Sequence, residues 1–158
     1  MKIVVLSDSH RYMQNMIDAI DAAQPNYVIH LGDHVEDADE LRHHYPMLPV
    51  LYVKGNCDFD FSCKDLAIAE YEGVRIMAAH GHKYGVKSGL LRYVYAAKEN
   101  QVQVALFGHT HLAYCEQYED LWLLNPGSCG YGSSPSYGLI EIQNKQVHCN
   151  VCKIQDGR

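Results

Sequence analysis

Nitrogen and oxygen donors recur along this chain at short spacings. Asp8 and His10 stand two apart in DSH, His80 and His82 in HGH, and His109 and His111 in GHTH. Asp33 follows Gly32, and Asn56 and Asp58 flank Cys57 in KGNCD. Asp8, Asp33, Asn56, His10, His80, His109 and His111 make a set of two carboxylates, one amide and four imidazoles that needs no thiolate. Such a mixture suits Mn, Fe, Ni or Zn better than Mg or Ca, which prefer oxygen-rich shells. Seven donors exceed what one ion takes, whereas two ions sharing a bridging carboxylate would use them fully. A metal pair roughly 3.5–4 Å apart clamps a phosphoryl group and holds a bridging hydroxide that attacks phosphorus. A lone D-x-H or H-x-H is weak; the ordered set carries the reading.

The elements that must position this set are β-rich runs. KIVVLS (2–7) leads to Asp8 and His10, YVIHL (27–31) to Asp33, and LPVLYV (48–53) to Asn56. VRIMAA leads to His80, and VQVALF (102–107) to His109 and His111. In open α/β sheets, ligands bind outside the carboxyl ends of strands. At a fraying strand end residues i and i+2 face one side, which suits the paired spacings. Gly32, Gly55 and Gly108 are expected to let the backbone turn sharply into the site. Between the runs, Met13, Met16, Ile17 and Ile20 follow helical spacing, closed by Pro25 and Asn26. The polar stretch 36–44 reads as a short helix, and 68–80 as two strands around a Glu72-Gly73 turn. A second amphipathic helix is expected over Gly89–Asn100 with Leu90, Leu91, Val94 and Ala97 inward. Runs 113–118, 121–125, 137–142 and 146–152 read as a β meander. The sum is two packed sheets with helices outside.

The 158 residues fit one domain over 1–158, with no internal repeat or linker. The net charge of -6 argues against a binder of phosphate backbones, so no strong nucleic-acid signal is present. No run approaches the ~18 apolar residues of a membrane span. The start MKIVVLSDSH is too short for a secretory apolar region. A cytoplasmic protein without a membrane partner is therefore expected. Six cysteines form no dense disulfide framework. Cys149 and Cys152 fall on opposite faces of a strand-like run, which fits packed thiols better than zinc or redox work. Twelve tyrosines could supply a homo-oligomer interface, although tyrosine is ordinary core and surface material too.

DSH, GD, GN-x-D, HGH and GHTH, in that order, resemble the calcineurin-like metallophosphoesterase superfamily. The short length, GNCD, GHTH and NPGS (125–128) resemble its YfcE-type phosphodiesterase branch. The resemblance covers essentially the whole chain. It implies an α/β fold, a two-sheet β sandwich flanked by helices in four α/β/β/α layers, around a dinuclear centre. It also implies that one metal takes Asp8, His10 and His111, the other Asn56, His80 and His109, and that Asp33 bridges. Two divalent ions, Mn foremost, and a small phosphodiester substrate follow from it. Many members hold a histidine general acid where this chain has Cys57, while the following acid, Asp58, is kept. A thiol can donate a proton but lacks the imidazole's reach, so His82 is a candidate substitute donor or phosphate contact, or else a histidine that is solvated or packed behind the ligands. Activity is expected to favour diesters with good leaving groups over alkyl esters. The alternatives are a phosphomonoesterase, or a protein-interaction scaffold of this fold like the eukaryotic retromer subunit. His43, His44 and His148 read as surface residues, His34 as a surface residue that could instead line the site, and His30 as packed. Lys83, Tyr84 and Lys87 either guide an anionic substrate or lie in a solvated loop, and Ser128 is a candidate phosphate donor.

Overall fold

The computed structural model describes residues 1–130 and 132–155. Among the described residues, three α-helices, one short 3-10 turn (His82–Tyr84) and ten strands alternate early and cluster late. They are β1 (Lys2–Leu6), α1 (Met13–Ala23), β2 (Tyr27–His30), α2 (Val35–His44) and β3 (Val50–Tyr52). Next come β4 (Leu66–Tyr71), β5 (Val74–Ala79), α3 (Leu91–Glu99) and β6 (Val104–Leu106). The last four strands are β7 (Tyr114–Tyr118), β8 (Leu121–Asn125), β9 (Ser136–Gln143) and β10 (Gln146–Lys153). One sheet runs β10-β9-β1-β2-β3 and the other β4-β5-β6-β8-β7.

Three buried clusters build the α/β/β/α layers. Ile3, Val5, Ile29, Ile76, Val104 and Leu106 pack between the sheets. Val4, Leu6, Met16, Ile20 and Leu41 seal α1 and α2 against the outer face of the first sheet. Met77, Tyr93, Ala97 and Phe107 seal α3 against the outer face of the second. Both faces of β1 are thus covered, which is why KIVVL is continuously apolar rather than alternating. Cys149 lies between the sheets and Cys152 on the outer face, as their odd spacing predicts. Among the described residues, no helix is long and apolar enough to cross a membrane.

Two details differ from the sequence reading. The last four strands are not a meander. The β7–β8 hairpin joins the second sheet through β6, whereas the β9–β10 hairpin returns to the first sheet and pairs antiparallel with β1. Helix α3 is rotated from the expected face. Leu91 is 65% exposed, and Tyr93 takes the inward position. Its hydroxyl donates to the Leu106 carbonyl, so a buried polar tip keeps its bond while the ring fills the core.

Candidate metal centre

Strand direction brings the donors together. β1, β2 and β3 are mutually parallel, as are β5, β6 and β8, so six carboxyl ends meet at one rim. Main-chain bonds then carry the pairing past the strand ends. Asp8 N–H donates to Gly32 O (3.1 Å) and Gly108 N–H to His80 O (2.9 Å). Across the sheets, His109 N–H donates to Asp8 Oδ2 at 3.2 Å, and Cys129 N–H to Ser7 O at 3.1 Å. Gly32 has φ of +99°, a conformation L residues rarely adopt. Gly55 is needed for another reason than the turn expected of it. Its φ is not positive, but a Cβ there would overlap Asp33 Oδ1. Asp8, His10, Asp33, His109 and His111 all have φ between +44° and +66°, so five of the seven donors sit in the left-handed region.

Side-chain atoms of Asp8, His10, Asp33 and His111 all lie within 4.8 Å of one another. His111 Nε2 is 3.1 Å from Asp8 Oδ1, and His10 Nε2 is 4.0 Å from Asp33 Oδ2. The other three donors gather on the far side of Asp33. His80 Nε2 is 2.9 Å from Asn56 Oδ1 and 3.5 Å from Asp33 Oδ2, and the His80 and His109 rings are 5.0 Å apart. A single oxygen, Asp33 Oδ2, therefore faces both groups. Its partner Oδ1 is fixed by the Cys57 N–H at 3.0 Å.

Proton accounting shows what this space accepts. His80 Nδ1 faces the Leu31 carbonyl at 2.9 Å and must carry the ring proton, because a carbonyl only accepts. Its Nε2 faces Asn56 Oδ1, Asp33 Oδ2 and Asp8 Oδ1. Asp8 Oδ1 is buried and takes no hydrogen bond among the described residues. Carboxylate, amide and imidazole atoms crowded this closely, with one buried carboxylate oxygen left without a hydrogen bond, fit a divalent cation, which these side chains would bind. Burial holds the His10 pKa below the usual imidazole range despite Asp33 and Asp8. Burial, then His80 and Lys87, does the same to His109. Burial alone would raise the Asp33 carboxyl, but His80 and the Cys57 N–H outweigh it and the net shift is downward. Imidazoles without a proton and an ionised carboxylate are the forms that ligate metal.

The remaining predicted residues divide by position. Cys57 is exposed beside Asn56, whose Nδ2 lies 3.6 Å from its sulfur. Asp58 is engaged by the main chain. Its carboxylate accepts the N–H groups of Asp33 (2.9 Å), His34 (2.8 Å), Val35 (3.0 Å) and Gly55 (2.7 Å). It thus caps the N-terminus of α2 from another loop and ties the Asp33 segment to the Asn56 segment. His82 lies beside the second group, 5.5 Å from His80 and 6.1 Å from His109 between ring centroids. Its Nδ1 is buried with no hydrogen-bond partner among the described residues. His34 takes the site-lining alternative over the surface one: it is half-buried, its ring 4.9 Å from that of His10. Lys83 pairs with Asp65 at 2.6 Å, so its charge is already engaged. Ser128 is buried, and its hydroxyl donates to the Asp8 carbonyl at 2.9 Å. It positions Asp8 and is not available as the phosphate donor expected of it.

Sequence reasoning passed over a buried relay beneath the centre. Gly32 N–H donates to His30 Nδ1 (3.1 Å), which puts the ring proton on Nε2 and directs it to Ser9 Oγ (2.9 Å). Ser9 Oγ donates to Asp37 Oδ2 (2.6 Å), which also accepts the Arg11 N–H (2.8 Å). The relay links the Asp8-His10 turn, the Gly32-Asp33 turn and α2. Ser9 stands between two donors and could have been noticed; Asp37, inside the polar run EDADE, carries no such signal. Asn125 was legible too, since β8 ends on it as the other strands end on Asp, Asn or His. Its Nδ2 holds Gly108 O and Thr110 Oγ1 at 3.1 and 3.0 Å.

Residues 1–145 match the model of the calcineurin-like phosphoesterase superfamily domain. Probable metallophosphoesterase YsnB of Bacillus subtilis is 33% identical over 150 residues, covering 91% of this chain and 86% of its own. Phosphodiesterase YfcE of Escherichia coli is 31% identical over 103 residues, 58% of this chain and 52% of its own. Among solved structures, a predicted phosphoesterase of Streptococcus pneumoniae superposes with a TM-score of 0.78 at 26% identity, covering 99% of this chain and 93% of its own. Wild-type Vps29 of Entamoeba histolytica, solved with zinc, shares the fold at a TM-score of 0.72 and 22% identity, covering 98% and 100%.

Proposed function

The chain belongs to the calcineurin-like phosphoesterase superfamily, and on that premise we propose that it hydrolyses small phosphate diesters at a dinuclear metal centre. The observation that carries the reading is the convergence of carboxylate, amide and imidazole side chains around Asp33 Oδ2. One group would be held by Asp8, His10 and His111, the other by Asn56, His80 and His109, with Asp33 shared. Two divalent ions, Mn foremost, would acidify a shared water to a pKa of about 7 for in-line attack and neutralise the phosphoryl oxygens.

The chain's own groups do the rest. Cys57 N–H and Asp58 hold Asp33 and its loop in place. Ser128 and the His30-Ser9-Asp37 relay fix the Asp8 turn. Cys57 and His82 are the protonatable side chains left over for the departing alkoxide. A scaffold reading has one observation behind it, the fold shared with Vps29. The acceptor cluster weighs against it, since clustered buried acceptors are costly unless a cation or proton satisfies them.

The test is direct. Metal content is measured on the purified protein, followed by hydrolysis of an aryl phosphodiester and an aryl phosphomonoester with added Mn. Turnover of the diester above the monoester, lost in Asp33→Ala and His109→Ala, is the expected result. No bound metal and no turnover would remove the enzyme reading, and monoester preference would replace the diesterase with a phosphomonoesterase.

A further inference from the structure

A groove of about 570 Å³ runs alongside the centre, lined by Val86, Lys87, Leu90, Phe107, Leu112 and Tyr114. Its volume lies within the roughly 300–1,000 Å³ of small-molecule sites. The wall of the groove is the segment that carries two of the imidazoles. Thr110 lines it and stands between His109 and His111, and Leu112 follows at once. The turn is held firmly: Thr110 Oγ1 meets Asn125 Nδ2 at 3.0 Å and accepts the Leu112 N–H at 3.1 Å. Val86 and Phe107 are buried and form the floor, while Leu112 is 72% exposed. A leucine presented to water on a rigid turn, one residue from a metal-binding imidazole, has apolar area to bury when something arrives. At the same groove, Lys87 is exposed and close enough to His109 for its charge to be felt there. Apolar walls with a cation beside them and metal-ligating groups adjoining match a molecule with an anionic head and an apolar body.

Resting on the phosphodiesterase reading, we propose that this groove receives an apolar, aryl-sized ester substituent of the substrate while its phosphoryl group engages the metal centre. Specificity then lies with Leu90 and Leu112, which make the walls, and with Lys87, which attracts the anion electrostatically. The substrate class is a phosphodiester carrying at least one bulky apolar or aromatic group rather than two small alkyl groups.

Phosphonates separate the groove from the chemistry, because they bind without being cleaved. Methylphosphonate and phenylphosphonate are titrated into the Mn-loaded protein by calorimetry, and diester turnover is assayed in parallel. The wild type is expected to bind phenylphosphonate about tenfold more tightly, the scale of discrimination a few buried carbons give. Leu112→Ser and Leu90→Ser are expected to reduce that ratio to about twofold. Leu112 is exposed, so its replacement leaves the core intact, and Leu90 provides the second variant. Equal affinity for the two phosphonates, or an unchanged ratio in both variants, overturns the groove even if the diester is turned over. Loss of all diester turnover and all phosphonate binding in the wild type instead removes the phosphodiesterase reading, and the groove proposal with it.

Discussion

Cys57 is exposed, yet loss of hydration, then the Asp33 carboxylate, pushes its thiol above the ordinary range. In the metal-free protein the sulfur therefore keeps its proton at neutral pH, and reagents that need thiolate should find it slow. Iodoacetamide at pH 7.5 is expected to label Cys57 more slowly than free cysteine, as peptide mass spectrometry would report; faster labelling would contradict the Asp33 contact. The same residue bears on chemistry. Replacing it with an imidazole restores the type of donor that the family resemblance places there. Cys57→His is expected to raise turnover of diesters with poor leaving groups by about tenfold or more, while good leaving groups gain little. Absence of that gain would mean that His82 or solvent already supplies the proton. Asp58 works on the backbone that carries the ligands. Its place in GNCD suggests chemistry, but its oxygens serve four main-chain N–H groups. Asp58→Ala is expected to lower stability by about 2–3 kcal/mol in urea unfolding, since several donors lose their acceptor together.

At the scale of elements, α2 is fastened to β1 and β2 by the relay through Asp37, Ser9 and His30. Asp37→Asn keeps the volume but changes what Ser9 and the Arg11 N–H meet. Metal affinity is expected to fall by about 10–100-fold, the usual consequence of disturbing partners behind a ligand set, with calorimetric titration of Mn as the readout. His30 adds a pH dependence. Burial holds its pKa below 6.5, against the pull of Asp37. As pH falls through about 6.5 the unfolded chain takes up this proton before the folded one does, so stability is full above that range and declines below it. Urea midpoints at pH 7.5 and 5.5 should show the fall, and His30→Gln should lessen it. The parallel strands and α1 were legible because apolar spacing alone defines them. The rotation of α3 was not, since Leu91 and Tyr93 are both apolar enough to face inward, and only the fit of Tyr93 over Leu106 decides. The separation of the two C-terminal hairpins was hidden for a similar reason. A hairpin signal is local, whereas the sheet it joins depends on which open edge its apolar face can cover.

Across the whole molecule, the first sheet supplies Asp8, His10, Asp33 and Asn56, and the second supplies His80, His109 and His111. A cation bound by both is a fastener between sheets. At a hundred times its dissociation constant it adds about 2.7 kcal/mol, and for a chain of this length that corresponds to roughly 5–10 °C. Thermal melts with Mn and with EDTA should differ by that amount, and Asp33→Ala should abolish the difference. The seven donors were readable from the sequence because every one of them follows a β-run. Their backbone conformation was not readable, since spacing says nothing about φ. Five of them lie in the left-handed region, where an L residue carries strain of roughly 1 kcal/mol or more. Summed over five positions, that rivals the ~5–15 kcal/mol net stability of a typical domain. Variants selected only for surviving heat would therefore be expected to accumulate glycine at His109, His111 or Asp33 early, relaxing the backbone and discarding the donors together. Directed evolution of this scaffold needs an activity screen at every round, because resilience and reactivity draw on the same few residues in opposite directions.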